Sequence, residues 1–195
     1  MMLRIPFSTT LLAAVVLALV ALAARAEDNR PPTGFTALFT GKDLTGWKAD
    51  SAGHWKAENG MLIFDGKGQD VASEQSFGDF ILLIDWKLAE RGNSGIFLRG
   101  GPQVEIWDPA RWWKFGSGGI YPEHHKPLKD ADKPIGEWNH FEIKVVKNAV
   151  TVRLNDELVL NAYECKFRTP TGPLRLQAHG TPLWFKNIYI KELKD

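Results

Sequence analysis

Apolar and polar residues alternate in two neighbouring runs, residues 96–99 and 103–107, which flank the turn-forming sequence Gly100-Gly101-Pro102. Successive side chains of a strand point to opposite faces of a sheet, so each run has one apolar face and one face of mixed chemistry. A salt-bridged, solvent-facing sheet would carry the same residue types as a binding surface, and the pattern leaves both interpretations open. The apolar face consists of Ile96, Leu98, Val104 and Ile106, and the other consists of Phe97, Arg99, Gln103, Glu105 and Trp107.

The rest of the chain, from residue 35 onwards, repeats this period-two pattern in short runs separated by turn sequences. No apolar period of 3.6 persists for three turns, so the pattern predicts an all-β fold rather than helices. A two-sheet antiparallel sandwich follows. The predicted strands, besides the two above, are 35–39, 55–57, 61–64, 80–88, 141–146, 149–154, 157–160, 174–178 and 183–193.

The segment 107–132 differs from the predicted strands because closely spaced Gly and Pro residues exclude long regular elements. It is nevertheless rich in aromatic residues, and a long aromatic loop on a sandwich usually covers a site or packs as a lid. The aromatic residues are Trp107, Trp112, Trp113, Phe115 and Tyr121.

The N-terminus has the three parts of a secretory signal: a positive Arg4, an apolar run at 11–23 and the cleavage sequence Ala24-Arg25-Ala26. We therefore predict a signal peptide at 1–26, a short disordered lead-in at 27–34 and one domain at 35–195. A retained single-helix anchor is the alternative, although the apolar run is short for a membrane span. We therefore expect the protein to be exported and, once the signal peptide is removed, not to be stably inserted in a membrane.

The composition excludes some partners. The formal net charge is +1, which supports neither nucleic-acid binding nor attraction to an anionic membrane. Cys165 is the single cysteine, so no internal disulfide forms, and we interpret it as a small apolar side chain. The 8 Trp and 11 Phe suit both sugar stacking and a sandwich core, and do not decide between them.

A third run, 174–179, places Arg175, Gln177 and His179 on one parity. If this strand shares a sheet with the first two runs, a carboxylate, an imidazole, a guanidinium and two amides line one surface. Such a surface provides an acid/base pair and groups that hold sugar hydroxyls. The set would be Arg99, Gln103, Glu105, Gln177 and His179, with Asp85 and Lys87 as further candidates.

Six motifs occur in an order that resembles the 3-keto-disaccharide hydrolase domain family, formerly a domain of unknown function. The resemblance covers about residues 35–193. The motifs are Phe39-Thr-Gly-Lys-Asp43-Leu-Thr-Gly46-Trp47, Phe77-Gly78-Asp79-Phe80, Gly92-Asn93-Ser94-Gly95-Ile96-Phe97-Leu98-Arg99-Gly100, Gly136-Glu137-Trp138-Asn139, Leu176-Gln177-Ala178-His179-Gly180 and Phe185-Lys186-Asn187-Ile188.

The resemblance implies a concanavalin A-like jelly-roll sandwich that binds a small carbohydrate, acts on glycosides oxidised at C3 and is often exported to the bacterial periplasm. Two motifs depart from the family pattern. The usual Glu-x-Gln order is Gln103-Val104-Glu105 here, and Ala178 stands where a carboxylate is common. The second departure puts a ligand or supporting role of that position in doubt.

The implied chemistry needs no strong nucleophile. A ketone at C3 acidifies the C2 proton, a base removes it, and the enolate expels the aglycone from C1; water can then add. Glu105 and His179 are the candidate catalytic residues, one as base and the other as acid. The candidate substrate-binding residues are Asn93, Arg99, Gln103, Gln177, Trp107 and Asp85.

Alternative functions remain open at this point. A retaining glycosidase would pair Glu105 with a second carboxylate such as Asp85 or Asp108. A non-catalytic binding module would use Trp107, Trp112 and Trp113 as stacking platforms. Glu123-His124-His125 lacks the spacing of a metal motif, so no metal ligand is assigned, although a divalent cation elsewhere in the site stays open.

Overall fold

The computed structural model describes residues 28–49, 53–108 and 116–194, and its regular elements there are all strands. The described residues contain no helix long and apolar enough to cross a membrane. The predicted signal peptide at 1–26 lies outside this part of the chain. The strands are β1 (Thr36–Ala37), β2 (Trp47–Ala49), β3 (Trp55–Glu58), β4 (Met61–Phe64), β5 (Val71–Phe77), β6 (Phe80–Leu88), β7 (Asn93–Phe97), β8 (Gln103–Trp107), β9 (Ile120–Tyr121), β10 (Asn139–Val146), β11 (Ala149–Leu154), β12 (Glu157–Glu164), β13 (Gly172–Leu176) and β14 (Leu183–Glu192).

Two antiparallel sheets form the sandwich and confirm the predicted all-β class. The larger sheet has the order β12-β11-β10-β6-β14-β4-β3, with β1 also paired to β14. The smaller sheet has the order β2-β5-β13-β7-β8-β9. Consequently β13, β7 and β8, which sequence analysis could not place together, are direct neighbours in the smaller sheet.

The core lies between the sheets and is built from the apolar parity of each strand. Strand β6 alternates strictly, with its even-numbered residues from Phe80 to Leu88 buried and its odd-numbered residues partly exposed. Ile96, Leu98, Val104 and Ile106 are all buried, as the first two runs predict. Each large apolar side chain buried in this way contributes about 1.5 to 3 kcal/mol, so the two inner faces hold the sandwich together.

Arg99 does not lie on the polar face of the hairpin, and its predicted role in substrate binding is wrong. Strand β7 ends at Phe97, and Arg99 and Gly100 form the turn with positive φ angles of 51° and 66°. The alternation of faces ends where the strand ends, so the Arg99 side chain turns away into the protein and is 5% exposed.

The buried Arg99 guanidinium fastens the β7–β8 turn to two other turns. It donates to the carbonyl oxygens of Gly78 (2.9 Å) and Lys147 (2.7 Å) and to the Asp79 carboxylate (2.7 Å). It also lies 4.7 Å from the centre of the Phe167 ring. Arg99 is therefore a structural residue at one end of the sandwich.

Two residues of the predicted lead-in, Asp28 and Asn29, are bound to strand β14 of the larger sheet. Asp28 accepts hydrogen bonds from the Lys186 ammonium group at 2.9 Å. Asn29 exchanges two hydrogen bonds with Asn187, whose φ of 52° marks the register shift in β14. These contacts tie the start of the described chain to its last strand.

Candidate active site

A cavity of about 390 Å³ opens on the face of the smaller sheet that points away from the core. We call this side of the smaller sheet the pocket face. Its floor comes from β8, from β7 and from Gln177 after β13, and residues 116–127 form one wall. The lining residues are Asn93, Gln103, Glu105, Trp107, Gly116, Tyr121, His124, His125, Lys126, Pro127, Gln177 and His179.

Strand register explains why the floor residues meet. On β7 and β8, Asn93 pairs with Trp107 and Gly95 with Glu105. The backbone amide of Gln177 donates to the Gly95 carbonyl oxygen at 2.9 Å, so the segment after β13 lies next to β7 at this level. Six predicted site residues thus share one cavity: Asn93, Gln103, Glu105, Trp107, Gln177 and His179.

Gly95 leaves space at the centre of the floor for the Gln103 side chain. A Cβ at Gly95 would lie 2.1 Å from Gln103 Nε2, so any other residue there would displace that amide. Crossing above Gly95, Gln103 Nε2 donates to Gln177 Oε1 at 2.7 Å. Within the described residues, the side-chain carbonyl oxygen of Gln103 and the side-chain NH₂ group of Gln177 make no further hydrogen bond. The pair therefore offers an acceptor and donors suited to sugar hydroxyls.

The wall at 120–127 is a turn stabilised from outside by β12. The Ile120 and His125 backbones exchange two hydrogen bonds, of 2.9 and 3.1 Å. Glu123 points away from the cavity and accepts hydrogen bonds from the Tyr163 hydroxyl (2.8 Å) and the Lys166 amide (3.1 Å). The His125 ring stacks on Tyr163 at 4.1 Å. His124 and His125 both line the cavity, so neither is a purely solvated loop histidine.

The start of this wall is held by a half-buried carboxylate. Asp132 accepts hydrogen bonds from the Ser117 amide (2.7 Å) and hydroxyl (2.6 Å), beside the lining residue Gly116. Burial, partly offset by these bonds and reinforced by neighbouring Asp130, raises the pKa of Asp132 to about 6. The Ser117 hydroxyl in turn accepts the Trp107 amide at 2.9 Å, so Asp132 connects the wall to β8.

Glu105 is the electrostatic centre of the site. Its carboxylate has no hydrogen bond within the described residues, and burial raises its pKa above the ordinary value for glutamate. The positive charge of His124, when protonated, opposes this shift and lowers the pKa. A carboxylate with a raised pKa, in a cleft and close to imidazoles, has the properties of a general base or acid.

His179 lies at the mouth of the cavity rather than on its floor. It follows β13, where the chain leaves the sheet, and it is exposed. Glu105 and His179 thus line the same cavity, one deep and one near solvent.

Asp85 lies on the opposite side of the sandwich, and its predicted role in substrate binding is wrong. It belongs to β6 of the larger sheet, where it accepts hydrogen bonds from His140 Nδ1 and Asn187 Nδ2, each at 2.6 Å. The parity of β6 correctly predicts that Asp85 points away from the core. It does not predict which of the two sheets contains the strand.

Several other candidates lie outside the cavity. Asp108 is buried and accepts the Arg91 backbone amide at 2.6 Å. Cys165 is buried, and burial raises its thiol pKa to about 12, which keeps it protonated and poorly nucleophilic. The described residues contain no group of three or more His, Cys, Asp or Glu that could hold a metal ion. Trp112 and Trp113 lie outside the described residues.

Two packed antiparallel sheets with a cavity on one outer face define a concanavalin A-like jelly-roll sandwich. The fold resembles that of a β-glucanase from Bacillus licheniformis, with a TM-score of 0.55 at 12% identity, covering 85% of this chain and 95% of the other. Within this class, the chain belongs to the family described as the 3-keto-alpha-glucoside-1,2-lyase-like domain, which matches residues 34–191.

More similar proteins carry related descriptions. A protein of Bacteroides thetaiotaomicron named 3-keto-disaccharide hydrolase is 26% identical, over 82% of this chain and 79% of its own length. Two crystal structures from Parabacteroides distasonis, both with a provisional glycosyl hydrolase assignment, give TM-scores of 0.72 and 0.71 at 25% and 30% identity. They cover 86% and 83% of this chain, and 100% and 85% of their own. The chain is therefore a glycosidase-like member of this family.

Proposed function

We propose that this protein cleaves the glycosidic bond of 3-keto-disaccharides by removing the C2 proton and eliminating the group at C1. One observation carries the proposal: the desolvated Glu105 carboxylate and the His179 imidazole line one cavity, on a floor of paired amides. Family membership and the name of the Bacteroides thetaiotaomicron relative support the substrate class.

The position of each group suggests its role. Glu105, on the floor, is a stronger base than an exposed glutamate because its pKa is raised, and it takes the C2 proton. The electron pair left on C2 forms an enolate with the C3 carbonyl, and the Gln177 NH₂ group donates to the oxygen that gains charge. The bond between C1 and the leaving oxygen then breaks, and His179 at the mouth protonates that oxygen.

Net hydrolysis requires one further step with the same groups. Water adds across the C1–C2 double bond: its hydroxyl joins C1, its remaining proton passes to the His179 imidazole that was left neutral, and Glu105 protonates C2. Without this step the product is the unsaturated keto-sugar. The cavity volume of about 390 Å³ falls in the range of small-molecule sites and suits a sugar ring.

Ordinary retaining hydrolysis is less well supported. It needs two carboxylates about 5 to 5.5 Å apart across the scissile bond. Among the described lining residues, Glu105 is the one carboxylate. The two partners considered from the sequence are engaged elsewhere, Asp85 on the larger sheet and Asp108 with the Arg91 amide.

Export is a separate part of the proposal. The Arg4 charge, the apolar run and the Ala24-Arg25-Ala26 sequence support a secretory signal, and a periplasmic location in a bacterium agrees with the family resemblance. Mass spectrometry of protein recovered from the periplasm would give an N-terminus at Glu27 if this is correct. An intact N-terminus in that fraction would contradict cleavage at this site.

The proposed chemistry is tested with a 3-keto-disaccharide in deuterated water. After proton abstraction, the Glu105 proton exchanges with solvent while the leaving sugar departs, so hydration places deuterium at C2 of the keto-sugar product, which NMR detects. Cleavage without deuterium at C2 would indicate direct displacement at C1 and contradict the mechanism. The unoxidised disaccharide is the matched control and should not react, because its C2 proton is not acidified.

The role of His179 is tested in the same assay with His179→Ala. Turnover should fall by at least about a hundredfold if the imidazole transfers a proton. Folding should be unaffected, since the side chain is exposed at the mouth of the cavity. Near-normal turnover would remove His179 from the mechanism.

A further inference from the structure

The pocket face continues beyond the cavity in one direction, across β7 and β13. The turn at 120–127 closes the cavity on the β9 side, where the smaller sheet ends. On the other side, Phe97 pairs with Arg175 of β13, and Arg175 pairs with Ala72 of β5. Beyond Arg175 this row therefore continues with the small side chain of Ala72.

Arg175 is held in place while its donors remain available. Its guanidinium carbon lies 4.0 Å from the centre of the Phe97 ring, and its Nε forms an ion pair with Asp70 at 3.3 Å. Asp70 is itself fixed by the Ala178 amide, which donates to it at 2.8 Å. The Arg175 side chain is 39% exposed, and within the described residues its two terminal nitrogens make no hydrogen bond. It therefore presents pre-oriented donors above an aromatic ring.

Arg175 also lies in line with the proposed catalytic groups. Arg175, Gln177 and His179 follow one another on the same parity, so adjacent members are about 6.6 Å apart along the chain while it is extended. Gln177 and His179 line the cavity and Arg175 lies next to it. If the 3-keto ring lies over Gly95 and Glu105, the glycosidic oxygen lies over Gln177, between the His179 imidazole that protonates it and the Arg175 guanidinium on the side of the leaving sugar.

We infer that Phe97 and Arg175 form the subsite for the leaving sugar of the disaccharide, outside the cavity that holds the 3-keto ring. The apolar face of the leaving sugar packs against the outer face of the Arg175 plane, which the Phe97 ring supports from below, and its hydroxyls accept hydrogen bonds from the guanidinium edge. This inference rests on the proposed function, because it assigns the second half of the same substrate. It makes Arg175 a determinant of specificity for the leaving group.

The test compares two substrates with the same 3-keto-glucosyl ring, a disaccharide and a methyl glycoside, in Arg175→Gln. The kcat/KM for the disaccharide should fall about tenfold through a higher KM, because charged hydrogen bonds to the leaving sugar are lost. The methyl glycoside carries no second sugar, so its kcat/KM should stay within about twofold of the unsubstituted protein's value. Arg175→Lys, which keeps the charge but loses the planar group, should show a smaller loss of the same kind.

The matched control is Lys144→Gln, which removes one positive charge from the larger sheet and should affect neither substrate. An equal loss for both substrates in Arg175→Gln, or a disaccharide-selective loss in Tyr121→Ala but not in Arg175→Gln, would overturn the subsite. If the unsubstituted protein cleaves neither substrate, the proposed function itself fails and the inference fails with it.

Discussion

The two outer faces of the sandwich each carry a carboxylate and an imidazole, in very different states. On the larger sheet, Asp85 and His140 are 2.6 Å apart, and the second Asp85 oxygen accepts Asn187. On the pocket face, Glu105 and His179 line a cavity, and the Glu105 carboxylate has no hydrogen bond within the described residues. The same residue types thus form a completed structural pair on one face and an available pair on the other.

This difference shows that a carboxylate is available for a reaction only where the protein leaves it without hydrogen-bond partners. Asp85 accepts hydrogen bonds from two side-chain donors, whereas burial without a hydrogen-bond partner raises the pKa of Glu105. A carboxylate that is desolvated but not hydrogen-bonded costs folding free energy. Proteins retain such groups mainly where a ligand or reaction uses them.

Among the substitutions that test this comparison, Glu105→Gln should have the largest effect on activity. The amide keeps the shape of the side chain but cannot accept the C2 proton, so kcat/KM for a 3-keto-disaccharide should fall about a thousandfold. Stability should not fall. The raised pKa means that ionised Glu105 destabilises the fold as pH rises through its folded pKa, and this cost is absent in the variant.

The two halves of this prediction are measured separately, by steady-state kinetics and by thermal unfolding at about pH 4 and pH 7. The stability of Glu105→Gln relative to the unsubstituted protein should be higher at pH 7 than at pH 4. A large loss of stability together with activity would show that Glu105 is a structural residue like Asp85.

Asp85→Asn makes the matched change on the larger sheet and should have the reverse result. Two short, charge-assisted hydrogen bonds become weaker or are lost, so the free energy of unfolding should fall by about 1 to 2 kcal/mol in denaturant titration. Activity should stay within about twofold, because the side chain lies on the far side of the core. A selective loss of activity without loss of stability would contradict the structural assignment of Asp85.

The fold could be predicted from the sequence because period-two alternation directly encodes which side of a strand is buried. The same argument placed Gln103, Glu105 and Trp107 correctly on one face. It failed for Arg99 because the alternation stops when β7 turns at that residue. It failed for Asp85 because parity specifies a face of a strand and not the sheet to which the strand belongs.

The wall of the cavity could not be predicted in this way. Tyr121 belongs to the two-residue strand β9, and His124 lies in the turn that follows it. A segment this short has no apolar–polar alternation from which the direction of a side chain could be predicted. Their position depends on Glu123 reaching Tyr163 and Lys166, about forty residues away along the chain. Arg175 lay on the predicted parity, but its contact with Phe97 required the β13–β7 pairing.

His124→Gln is the smallest change and tests the electrostatics of the pocket face. The acidic limb of kcat/KM against pH reports the ionisation of the free-enzyme base, here Glu105. At acidic pH the protonated His124 favours the ionised carboxylate and lowers its pKa, so removal of the imidazole should raise that pKa. The limb should therefore move to higher pH. His140→Gln, which removes the imidazole of the larger sheet, should leave the limb in place. A limb that stays in place or moves to lower pH in His124→Gln would show that another group controls activity.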